Sequence, residues 1–138
     1  MKEVIHARGH EHVSAEHAST FEITTDDYLT PAGDCILAIE ADRAPADFDP
    51  AFVKACRAES ATIEVVVEVD EHEASVSGRG DPGLTFESER SAVGRTSDYV
   101  DERTVLVGAS HAAEGFDREL VAALADGVDV TVTITVEE

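Results

Sequence analysis

The chain repeats itself, and that repeat constrains its fold more than any single motif does. Laid on itself, Arg8-Gly9-His10 meets Arg79-Gly80-Asp81 at an offset of 71 residues. Thr25-Asp26-Asp27-Tyr28-Leu29 meets Thr96-Ser97-Asp98-Tyr99-Val100 at the same offset. Cys35-Ile36-Leu37-Ala38 then meets Thr104-Val105-Leu106-Val107 at 69. Ala44, Phe48-Asp49 and Phe52-Val53 meet Ala112, Phe116-Asp117 and Leu120-Val121 at 68. Ile63, Val65, Val67 and Val69 meet Val130, Val132, Ile134 and Val136 at 67. The offset only falls, and only between elements, as expected of a duplicated unit trimmed in its loops.

Each half therefore carries the same expected elements. Extended segments are predicted at Val4–Ala7, Val13–His17, Phe21–Thr24 and Cys35–Glu40. Their counterparts are Ala74–Ser77, Leu84–Phe86, Ala92–Gly94 and Thr104–Gly108. One short helix follows in each half. Asp49 is its expected N-cap in the first, with Pro50 at the first helical position, where the missing N–H costs nothing. Asp117 is the cap in the second, and Gly127 the stop. Each half closes on its clearest period-two strand, Ile63–Val69 or Val128–Val136.

The fold class expected is α+β and β-rich: an internally duplicated β-barrel or two-sheet fold with two short helices. One domain, 1–138, is expected, made of two pseudo-repeats at about 1–70 and 71–138. Two separate lobes of that size would be marginal alone, so one shared core about a pseudo-two-fold axis is preferred.

Composition bears on the setting. Apolar residues make up 43% of the 138, enough for a core. No run approaches the length of a membrane helix, and no apolar leader is visible near Met1, so a cytoplasmic, membrane-free protein is expected. Cys35 and Cys56 sit in no paired motif and read as free thiols. Thirty acidic residues against ten basic ones give a formal charge of −20. The acids are spread along the chain rather than gathered in a tail, and large aromatics are sparse. This reads as adaptation to a cytoplasm of molar salt, which screens self-repulsion. The charge disfavours nucleic acid without excluding it, because it reports the solvent more than the partner.

Several residues are candidates for chemistry. His6, His10, His12 and His17 lie within twelve positions. His10, His12 and His17 are a possible metal set, with Cys35 as a distant fourth ligand. No known ligand spacing supports it, and surface histidines are the competing reading. The Arg8-Gly9 and Arg79-Gly80 turns read as anion-binding corners or as turns whose arginine pairs with an acid. Asp34, in Gly33-Asp34-Cys35, is expected to tie backbone N–H groups ahead of a strand. Ser19, Thr20 and Glu22 could form a polar network with His17. Arg95 and Arg103 flank one turn. Together His10, His17, Asp34, Arg95 and Arg103 are the expected groove for an anionic small ligand near the pseudo-axis.

Gly9-His10, Val13, His17 to Thr24, Leu29-Thr30, Gly33-Asp34-Cys35-Ile36, Ala41-Asp42, Arg95-Thr96-Ser97, Arg103-Thr104, Ala112-Ala113 and Asp117-Arg118-Glu119 carry a resemblance. Over nearly its whole length the chain resembles the archaeal family numbered 371 among domains of unknown function, in a haloarchaeal-type member. It departs from the family pattern at Asp81, where histidine is common, and near Thr96 and His111, where lysine is. The resemblance implies an archaeal cytosolic setting and no reaction, cofactor or catalytic residue. Three functions remain open: a binding module for a small anionic ligand or protein partner, a metal-assisted hydrolase using the N-terminal histidines, and a structural or homo-oligomer-forming protein.

Overall fold

Alternation decides the longest strands. In β4 (Thr62–Val69) Ile63, Val65, Val67 and Val69 are buried, while Thr62, Glu64 and Glu68 face solvent. In β8 (Asp129–Glu137) Val130, Val132, Ile134 and Val136 are buried in the same way. These two strands pair antiparallel at the middle of one sheet, Val66 opposite Thr133. The computed structural model describes residues 1–137.

The remaining elements run in one order twice. β1 (Lys2–Arg8), β2 (Thr20–Thr24), β3 (Ile36–Ala38), a 3-10 turn (Pro45–Asp47) and α1 (Pro50–Cys56) precede β4. β5 (His72–Arg79), β6 (Ser91–Arg95), β7 (Thr104–Leu106), a second 3-10 turn (Ala113–Gly115) and α2 (Arg118–Ala125) precede β8. The first sheet has the order β1-β8-β4-β5, all antiparallel. The second has the order β3-β2-β6-β7, with an antiparallel central pair and parallel outer pairs. The protein is thus α+β and β-rich, with two sheets and two helices.

The barrel alternative is corrected. Among the described residues the sheets meet only through single bridges, Arg8 to Ile39 and Arg79 to Val107. Just beyond each bridge the backbone turns left-handed, at Glu40 (φ 53°) and Gly108 (φ 59°), so neither ladder extends into a closed wall. Val13–His17 and Leu84–Phe86 are also not strands. Ala15 (φ 47°) and Phe86 (φ 52°) interrupt both runs, a conformation disfavoured for residues with a Cβ. β3 and β7 are shorter than the expected Cys35–Glu40 and Thr104–Gly108.

The helices are capped from sequence. Asp49 accepts the Ala51 N–H at 2.8 Å, and Asp117 accepts that of Glu119 at 2.7 Å. Gly127, at φ 76°, follows the end of α2. Aromatics knit the core: Phe21 meets Phe116 edge-on, and Phe48 and Phe52 pack with Phe86. Each such side chain contributes about 2–3 kcal/mol by burial.

Candidate functional site

The second sheet carries a polar face. β2 and β6 pair Thr20 with Arg95, Glu22 with Val93 and Thr24 with Ser91. The intervening Phe21, Ile23, Ala92 and Gly94 point the other way, by strand alternation. Phe21 and Ile23 belong to the core. Gly94 is required there: a Cβ would lie 2.2 Å from the Phe21 ring.

On the polar face a network crosses all four strands. His17 Nδ1 accepts the Thr20 N–H at 3.1 Å and lies 3.0 Å from Thr20 Oγ1. The Cys35 thiol, just before β3, donates to Glu22 Oε1 at 3.6 Å. Arg103, just before β7, reaches back to the same Glu22 oxygen at 3.8 Å. Its Nη2 also lies 3.3 Å from Asp101 Oδ2. Arg95 donates to that oxygen at 2.9 Å and to Thr104 Oγ1 at 2.9 Å, and its guanidinium lies over the Tyr99 ring. Arg95 is 9% exposed. The Arg103 side chain is 42% exposed. Two guanidinium groups thus face two carboxylates, a locally neutral patch on an acidic protein.

The environment sets two ionisations. Burial opposes the charge on Asp101, but hydrogen bonds from Thr104, the Arg103 amide and Arg95 outweigh it and hold the carboxyl below its ordinary value. Burial, with the neighbouring Glu22, pushes the Cys35 thiol up to about 11. Cys35 is therefore no thiolate at neutral pH, and metal or nucleophilic chemistry through it is disfavoured.

The structure brings His17, Arg95 and Arg103 onto this face or its rim. Asp34 lies beside them, but it is its carbonyl that accepts the Glu16 and His17 N–H groups, at 2.9 and 3.2 Å. His10 is not part of the network. It sits beyond β1, where its Nδ1 accepts the His12 N–H at 3.0 Å and its ring lies 5.1 Å from that of His12. None of its hydrogen bonds reaches the polar face. Among the described residues no three His, Cys, Asp or Glu side chains are grouped to hold a metal ion. His10 and His12 are neighbours, while His17 is committed to Ser19 and Thr20.

The Arg-Gly turns have a packing role. Arg8 pairs with Glu40, and Arg79 with Asp81 at 3.8 Å. Gly9 lets the end of β1 meet the last turn of α2, and Gly80 lets β5 meet that of α1. The exposed large apolar residues among those described are Met1, Tyr28 and Tyr99. Among the described residues no helix is long and apolar enough to cross a membrane. Asp101 was absent from the expected site. Its signal is local, since Asp101 Oδ1 accepts the Arg103 N–H two residues on at 3.0 Å, an Asx turn that places Arg103.

Comparison with known proteins agrees with the family resemblance. The family described as Domain of unknown function (DUF371) matches residues 5–137. An uncharacterized protein of Methanocaldococcus jannaschii is 37% identical over 136 residues, spanning 99% of this chain and 100% of that protein. The chain belongs to the DUF371 family.

Proposed function

We propose that the protein is a binding module for a small anionic ligand, held on the polar face of the second sheet with Arg103 as its main contact. The observation that carries this reading is the state of Arg103. Its contacts to Asp101 and Glu22 are long, 3.3 to 3.8 Å, and its side chain is half exposed. A carboxylate or phosphate can displace such contacts and take the bidentate fork. Arg95 is buried, and its role is to position Asp101 and Tyr99. His17 holds the loop that enters β2.

Titration calorimetry in molar KCl with inorganic phosphate and with succinate tests the reading. Saturable binding by one of them, lost in Arg103→Gln and kept in His10→Ala, is expected. Absence of saturation, or equal affinity in Arg103→Gln, removes it.

Two further readings accompany it. The acidic surface supports adaptation to molar salt in a haloarchaeal cytoplasm, so the melting temperature should climb steadily as KCl is raised toward the molar range. A melting temperature insensitive to salt would count against this. The twofold run of elements, with both central strand pairs crossing at corresponding residues, supports internal duplication.

A further inference from the structure

A cavity at the start of α1 has its counterpart at the start of α2, and there the chain fills the space itself. The Arg118 guanidinium donates to the carbonyls of Ser14 at 3.1 Å and Ala15 at 3.0 Å. It also donates to Ala113 and Glu114 at 3.3 Å and to Phe116 at 2.9 Å. Five carbonyls from two segments thus form a cradle for one guanidinium.

The first half has the corresponding segments without the arginine. Each 3-10 turn is followed by an Asp cap and then its helix, and where α2 begins with Arg118, α1 begins with Pro50. The carbonyls of Ala113, Glu114 and Phe116 correspond to those of Pro45, Ala46 and Phe48. The left-handed residues Ala15 and Phe86 correspond as well. An open cavity of about 460 Å³ lies here, lined by Pro45, Ala46, Phe48, Pro50 and Phe86. Among the described residues no hydrogen bond reaches the carbonyls of Ala46, Phe48 or Phe86. Lys54 and Arg57, two of the chain's ten cations, also line the cavity. The Arg57 Nε donates to the Pro82 carbonyl at 3.1 Å.

We propose that this cavity binds a small guanidino acid, of the size and charge pattern of free arginine. The guanidinium takes these carbonyls as Arg118 does in the other half, with Phe48 and Phe86 as apolar lining. The carboxylate at the far end meets Lys54 and Arg57. This explains why two cations border a cradle of acceptors: a simple cation would be repelled by them, and a simple anion would find no donors among the carbonyls. The volume lies within the range of small-molecule sites. The site is separate from the polar face and uses none of its residues.

Titration calorimetry of the full chain with L-arginine, agmatine and citrulline in molar KCl tests the proposal. Arginine should saturate at one site. Agmatine, without the carboxylate, should bind about tenfold more weakly, the loss of one charge-assisted contact. Citrulline, without the charge, should not bind. Pro50→Arg should supply the plug internally, abolishing arginine binding and raising the melting temperature. If that variant does not fold, the double variant Lys54→Gln/Arg57→Gln decides: it should weaken arginine binding about tenfold and leave agmatine binding no weaker, since it removes the carboxylate's partners and relieves repulsion of a simple cation. Failure of arginine to saturate, citrulline binding as tightly as arginine, unchanged arginine affinity in a folded Pro50→Arg, or unchanged arginine affinity in the double variant would each overturn the proposal.

Discussion

Replacing Gly9 by alanine should be among the most damaging single-methyl changes available to this protein. A Cβ there would lie 1.8 Å from the Leu124 carbonyl oxygen and 2.7 Å from its carbon. Both are backbone atoms in the last turn of α2, so no side chain can rotate out of the way. The end of β1 must retreat by more than about 1 Å to reach ordinary contact, which costs about 1–3 kcal/mol as overpacking. The same movement disturbs three bonds. The Gly9 N–H donates to the Val128 carbonyl at 2.9 Å, and Arg8 and Ile39 exchange a bond in each direction, at 2.9 and 2.8 Å. Each is worth about 1 kcal/mol. A loss of about 3–5 kcal/mol follows, against a total of about 5–15 kcal/mol for a domain of this size. Urea unfolding in molar KCl, followed by circular dichroism, measures it. The midpoint should fall by about 1–3 M. Gly83→Ala is the control, since its nearest atom is the flexible Asp81 carboxylate at 3.2 Å. It should cost under about 1 kcal/mol. A Gly9→Ala midpoint equal to that of Gly83→Ala would refute the claim that helix and strand backbones meet at this point.

Arg118→Ala should remove the guanidinium from its carbonyl cradle and cost about 2–3 kcal/mol, and millimolar ethylguanidinium should return part of that stability in thermal melts. No rescue would mean the cradle does not recognise a guanidinium. Asp101 is held below its ordinary ionisation, so its contribution is complete above about pH 4 and is lost as pH falls through its folded value. The stability gap between the native protein and Asp101→Asn should therefore be constant at neutral pH and shrink in acid; a gap that widens there contradicts the network. Burial lifts the thiols of Cys35 and Cys56 to about 11 and about 12. Neither should react with a disulfide reagent at pH 8 until the chain is unfolded, and rapid labelling of the folded protein would count against this.

What could be read from sequence followed local rules. The caps Asp49 and Asp117 and the alternation in β4 and β8 depend on neighbours within a few residues, and the structure has them where expected. The left-handed turns at Ala15 and Phe86 carry no such mark, because neither residue type favours that backbone. They made two loops read as strands. The site was legible in part for the same reason. Arg95 lies at the end of β6, and His17 and Arg103 lie just before β2 and β7, elements that the repeat marks in both halves. His10 lies beyond β1, on the side of α2, and only the packing of Gly9 against Leu124 reveals it. The role of Arg118 was hidden too, since all five of its acceptors are main-chain oxygens and leave no imprint on residue type.

The strand order carries a kinetic consequence. Among the described residues β8, the last strand in sequence order, lies between β1 and β4, and the sole neighbour of β1 in its sheet is β8. Lys2 pairs with Thr135, so the first strand waits on the last before it can dock. Until residues 129–137 arrive, only the local β4–β5 hairpin of that sheet can form, and Ile5, Val65 and Val67 lack their cover. Closing so long a span is slow. Folding of this unit should therefore be a late, all-or-none event that waits on residues 129–137, and a nascent chain stalled before β8 is the species most in need of a chaperone.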